Sequence, residues 1–233
     1  DLHRRRHSFP TRRSSDLFGN ARHRRPPPYI FSQDEVAKLI EAAGRLKPTG
    51  SIRPMMFATL FGLLAATGLR ISEALRLRLQ DISADGLMIL ETKFNKSRLV
   101  PLHDTAHAAL ERYLEARART ATSTDALFVG VNGKAPGYDG VKDVFDRLVA
   151  AMGLQQARNG GLPHIHDLRH TLAVCSLERF RGNRNAISRH MTALSTYLGH
   201  TNVTGTYWYL EATPVLLGQI AEAAETLHRE QDL

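Results

Sequence analysis

At 233 residues and 42% hydrophobic content, the chain suits one globular domain of ordinary size with a short appendage. A formal charge of +8 and a pI of about 10.0 point to an anionic partner, above all nucleic acid. One cysteine, Cys175, excludes an internal disulfide framework, and the longest apolar run, Met55 to Ala66, is too short to cross a bilayer. The N-terminus carries arginines but no apolar segment of the kind a secretory signal needs, so a soluble cytoplasmic protein is expected.

The first segment stands apart. His7 to Leu17, HSFPTRRSSDL, resembles a translated sequencing-library adapter, and residues 1–17 are set aside as an artefactual, disordered leader. The competing reading is a basic arm that enters a DNA groove. Without the five arginines and two aspartates of this leader, 26 basic and 21 acidic residues remain, a milder imbalance. The genuine N-terminus is then expected to be missing.

Residues 18–31, rich in arginine and with three consecutive prolines, predict an extended linker. Ser32 to Glu35 form a capping box, and Val36, Leu39, Ile40 and Ala43 make the apolar stripe of a first helix that ends between Gly44 and Gly50. Met55 to Ala66 is a second, buried helix, broken by Gly68. A third begins after it and runs with Leu75, Leu77 and Leu79 towards Asp81. Gly86–Glu91 and Ser97–Leu102 are β-prone runs around the polar turn TKFNK, which predicts a β-hairpin. Helices are expected over 104–121 and 141–152, and Asn159 to Pro163 is a flexible connector. After Pro214, the residues Val215, Leu216, Ile220, Ala221, Ala224 and Leu227 give a last amphipathic helix, 214–230.

The polar residues are individually ambiguous. Arg70 sits at a helix junction with Glu73 one turn on, where a surface arginine is the ordinary alternative. Lys93 and Lys96 fit a solvated hairpin tip. In HDLRH the spacing i, i+3, i+4 puts His166, Arg169 and His170 on one helical face. An i, i+4 histidine pair suits zinc, but Arg169 would set a fixed cation beside the metal. Neither His164, Cys175 nor His200 completes a recognised ligand spacing, so no metal is expected. Glu178 to Ser195 is expected to be a connector whose arginines, including Arg181 and Arg184, either meet DNA phosphates or form a solvated face.

Taken together, Arg70 in TGLRISEAL, Lys93 in the hairpin, His166 and Arg169 in HDLRH, His200 in LGH and Tyr209 in TYWY occur in an order that resembles the tyrosine recombinase, or phage integrase, family. The likeness extends from about residue 30 to 225. It implies a mainly α fold with a small antiparallel β-hairpin sheet, the family's DNA breaking-rejoining catalytic domain, over residues 32–233. A separate N-terminal DNA-clamping domain would then be missing here.

The resemblance also implies roles. Arg70 and Arg169 would clamp the scissile phosphate with forked, permanently charged donors, and Glu73 would support Arg70. Tyr209 would attack phosphorus to give a 3′-phosphotyrosyl link, and His166 would take or relay its proton. His200 would bond a phosphate oxygen, and Lys93 would protonate the departing 5′-oxygen. Lys96 competes for that acid role; Tyr207 competes with Tyr209 but lies about 200° away on a common helix. Lys96, Arg98, Arg181 and Arg184 are candidate DNA contacts. No cofactor is expected. The expected partners are double-stranded DNA and three further copies of the chain on paired DNA sites, with the last helix docking on a neighbour or on its own domain. The location would be the bacterial nucleoid. A non-catalytic DNA-binding module of the same fold and a type IB topoisomerase are the alternatives.

Overall fold

In the computed structural model the described residues are 28–92, 96–154, 161–179 and 184–199, with only the backbone described at 91, 92, 96 and 184–188. Among them the order is α1 (Gln33–Gly44), α2 (Ile52–Thr67), α3 (Ile71–Arg76), β1 (Ile82–Ser83), β2 (Gly86–Thr92) and β3 (Lys96–Val100). Then follow α4 (Asp104–Ala118), α5 (Tyr138–Ala151), α6 (Asp167–Glu178) and α7 (Arg184–Leu198). The fold is mainly helical with one small antiparallel sheet, as expected.

The start of α1 and the end of α2 have local reasons. The Ser32 hydroxyl accepts the Glu35 amide at 3.2 Å, while Glu35 accepts the Ser32 amide at 2.7 Å, so the capping box opens α1. Helix α2 is apolar on nearly every side. Met56, Phe57, Leu60, Phe61, Leu63 and Leu64 are all buried, and the helix touches α1, α3, α4 and α6. Burial of each such side chain is worth roughly 1.5–3 kcal/mol, which makes α2 the axis of the core. It ends because Gly68 adopts φ +62°, a left-handed conformation. A Cβ on Gly68 would also lie 2.8 Å from Leu172 of α6.

The sheet is a meander in the order β1-β2-β3. Leu87 pairs with Val100 and Ile89 with Arg98, and the register shifts between Ile89 and Thr92. Side chains alternate accordingly. Leu87, Ile89 and Val100 are buried, whereas Met88, Leu90 and Leu99 face outwards. Arg98 therefore occupies an inward position of β3.

Three stretches differ from expectation. The third helix stops at Arg76 and does not run on through Leu79. Beyond it, the Leu77 carbonyl accepts the Leu127 amide at 2.7 Å and the Leu79 amide donates to Asp125 at 2.9 Å. Long-range pairing captures the backbone there, and a 3-10 turn, Leu79–Asp81, leads into β1. Most of the expected connector 178–195 is helix: Met191, Leu194 and Leu198 of α7 pack on Ala173, Val174 and Leu177 of α6. Finally, Tyr29 to Phe31, at the end of the expected linker, lie against the core. Phe31 is 2% exposed, packs edge-on to Phe145 (6.4 Å) and donates its amide to the Thr171 hydroxyl at 3.0 Å. The leader 1–17 and the helix 214–230 lie outside the described residues.

Candidate active site

Four chain segments meet at one place: the α2–α3 junction, β3, the start of α6 and the end of α7. Arg70 is the N-cap of α3, and its backbone N–H donates to Glu73 Oε2 at 3.0 Å. The Arg70 side chain folds back to the same carboxylate, with Nη1 donating to Oε1 at 2.8 Å. Glu73 is the third residue of a six-residue helix, so i, i+3 spacing alone brings the pair together. Its side chain is 8% exposed, against 33% for Arg70. Burial works to raise the Glu73 pKa. Hydrogen bonds from Arg98 and from the Arg70 amide, with the nearby guanidinium charges, outweigh burial and hold it below the ordinary value of 4.5.

Arg98 reaches Glu73 from the opposite side, Nη2 donating to Oε2 at 2.8 Å and Nη1 to Oε1 at 3.2 Å. Arg98 is one of the candidate DNA contacts; in the fold its side chain is 14% exposed and its fork spans a buried carboxylate.

Arg169, on the first turn of α6, is 1% exposed. Its Nη1 donates to the Gly68 carbonyl and its Nη2 to the Leu198 carbonyl, both at 2.6 Å. These carbonyls stand at the C-terminal ends of α2 and α7, where the last turns lack intrahelical donors and the helix dipole favours a cation. Arg70 adds a second such bond, Nη2 to the Gly199 carbonyl at 3.3 Å. One buried guanidinium thus ties the segment carrying Arg70 to the residues just before His200.

His166 is the N-cap of α6 and remains exposed at the surface, its ring edge-on to that of His170 with centroids 4.7 Å apart. Enough protein surrounds the imidazole for desolvation to be the main cause that lowers its pKa to about 4. The charges of Arg169 and then Arg70 press the same way, and Glu73 opposes them. His166 is thus neutral near pH 7 and able to accept a proton. Asp167, the first residue of α6, accepts the His164 amide at 2.7 Å and so fixes the turn that leads into the helix.

Arg70, Glu73, His166 and Arg169 therefore come together from the list drawn from the sequence. Lys93, Arg181, His200 and Tyr209 lie outside the described residues, and the side chains of Lys96 and Arg184 are not described. The carbonyls of Gly68, Leu198 and Gly199 did not emerge from the sequence as working parts. For Arg98 a signal existed: alternation with the buried Val100 put it on the inner face.

Two guanidinium groups share the Glu73 carboxylate and a third, Arg169, is buried against helix-end carbonyls, which leaves net positive charge that favours an anion with several acceptor oxygens. The chain is similar to known proteins over most of its length. An integrase/recombinase of Sinorhizobium fredii, y4rB, is 35% identical over 212 residues, covering 88% of this chain and 68% of that protein. The crystal structure of XerA recombinase superposes with a TM-score of 0.65 at 26% identity, covering 86% of this chain and 65% of that one. XerH site-specific recombinase, solved in a post-cleavage complex with a palindromic difH substrate, shares the fold with a TM-score of 0.64 at 23% identity, covering 86% of this chain and 54% of that one. The chain thus spans about half to two thirds of these proteins. The sequence model of the phage integrase family matches residues 30–214, and the chain belongs to that family.

Proposed function

We propose that this chain is the catalytic part of a site-specific DNA recombinase or integrase that cuts and rejoins strands through a tyrosine. The observation that carries the reading is the convergence of Arg70 and Arg169 on the Leu198–Gly199 carbonyls, with neutral His166 beside both cations. This arrangement suits a phosphodiester that gains charge in a pentacoordinate transition state.

The proposed step balances without an external energy source. The Tyr209 oxygen attacks phosphorus, and His166 takes the phenolic proton. A new bond forms between Tyr209 and phosphorus as the bond from phosphorus to the 5′-oxygen breaks. Lys93 supplies the proton that leaves a 5′-hydroxyl, and His200 bonds a phosphate oxygen. Attack by another strand's 5′-hydroxyl reverses the chemistry and regenerates the tyrosine. Arg70 acts from a partly open position, and Arg169 contributes charge from a buried one, where low dielectric strengthens its reach. Residues 32–233 form the catalytic domain. The partner is double-stranded DNA, four copies act on paired sites with helix 214–230 available for docking between them, and the work is done at the bacterial nucleoid.

The test uses a library of nicked duplexes with random sequence around the nick, so that the freed strand diffuses away and the adduct is trapped. Wild-type protein is expected to yield a denaturant-resistant adduct on Tyr209, and Tyr209→Phe none. Sequencing the trapped DNA then identifies the site. An adduct that persists in Tyr209→Phe, or never forms with the wild type, overturns the proposal.

A further inference from the structure

We propose that Arg98 is a positioning residue of this active site, holding Arg70 and the Leu198–Gly199 turn in place through Glu73, and that it is not a DNA contact. The inference rests on the strand-transfer reading above.

Its basis is a closed ring of contacts. Arg98 spans both oxygens of Glu73, Glu73 holds Arg70 through side chain and backbone, and Arg70 bonds the Gly199 carbonyl. Gly199 in turn rests on Arg98. A Cβ there would lie 2.9 Å from Arg98 Nη1 and 3.3 Å from its Cζ, at a residue whose φ is +68°. The guanidinium of Arg98 thus forms the floor under the residue that precedes His200. Burial confirms that this floor faces inwards: Arg98 Nε is buried and has no hydrogen-bond partner among the described residues. Both ends of the Arg98 fork are engaged by Glu73, so a phosphodiester held by that fork would compete with the carboxylate.

The electrostatic consequence concerns Arg70. One buried carboxylate paired with Arg70 alone would draw that cation into a neutral pair and weaken it as a phosphate ligand. Sharing Glu73 with a second arginine leaves the cluster net positive while the carboxylate still fixes Arg70 in position. A lysine at 98 would keep the charge but could not span two oxygens.

The experiment uses the full chain, the captured DNA site and the variants Arg98→Met and Arg98→Lys. Arg98→Met is expected to slow single-turnover adduct formation on the order of 100-fold, the scale of a misplaced catalytic group. Its DNA affinity and the slope of log K against log salt should match the wild type. The acid limb of its rate should move to higher pH, because Glu73 loses the donors that hold its pKa down. Arg98→Lys should recover part of the rate. A salt slope shallower by about one would mark a phosphate contact and overturn the inference, as would a wild-type rate in Arg98→Met. If Arg98→Met fails to fold, the uncharged Arg98→Gln decides: a slower rate at unchanged salt slope supports the inference, and a reduced slope or an unchanged rate overturns it. A wild-type protein that forms no adduct sinks the strand-transfer reading and this inference with it; a working wild type with a reduced slope in the variants sinks the inference alone.

Discussion

At the residue scale, the buried Glu73 carboxylate joins fold and chemistry, because two arginines converge on it. Glu73→Gln removes the carboxylate that both arginines bond and should destabilise the chain by about 3 kcal/mol, measured by urea unfolding at neutral pH. The pH dependence has a definite sign. With its folded pKa below 4.5, Glu73 contributes stability that is present above 4.5 and lost as pH falls through the lower folded value. The stability of Glu73→Gln should therefore fall less steeply below pH 4.5 than that of the wild type. His166 also has a lowered pKa, about 4 against an ordinary 6.5. Between these values the unfolded chain binds more protons, so its contribution is complete above 6.5 and declines towards pH 4. An NMR titration of the free protein should place the His166 midpoint well under 6, and a phosphodiester bound beside it should move that midpoint upwards. A midpoint near 6.5 in the free protein would contradict the desolvation of the imidazole and the crowding by Arg169 and Arg70.

At the element scale, helix ends do the positioning. Arg169 holds the ends of α2 and α7 together through their last carbonyls, and Gly68 permits it by turning the α2 terminus left-handed. Gly68→Ala should cost about 1–3 kcal/mol through the strained φ, since the tip of Leu172 is the nearest obstacle and can move. The loss should appear in the thermal midpoint and, because Arg70 lies two residues on, in the adduct rate as well. An unchanged midpoint would mean the turn tolerates a side chain and the glycine has another purpose. These elements were unevenly legible. The Ser32 capping box and the stripe behind it read directly, because both are local. The early end of α3 and the helical 184–198 stretch did not, because pairing with residues 125–127 decided the first and the apolar face of α6 decided the second.

At the scale of the whole molecule, distant segments close on one another. Arg70 reaches the end of α7 from 129 residues upstream and Arg98 meets it from β3, so the site exists only once this long-range packing has formed. The Phe31 amide crosses to the Thr171 hydroxyl, which also donates to the Asp167 carbonyl on α6. Thr171→Val should leave that amide without its acceptor, costing about 1–3 kcal/mol and speeding hydrogen exchange at Phe31 beyond any change in the α2 core. Equal acceleration everywhere would instead indicate a general loss of stability. The amino-acid order by itself determined the helical class, the hairpin and the family, because caps, periodicity and the spacing of Arg70, His166 and Arg169 are local or linear properties. Only the tertiary structure decided that Arg98 is an internal partner of Glu73, and that Arg169 is buried between two helix ends. A guanidinium has the same charge on a surface as in a core, and what it binds depends on which carbonyls and carboxylates the fold brings within 3 Å of it.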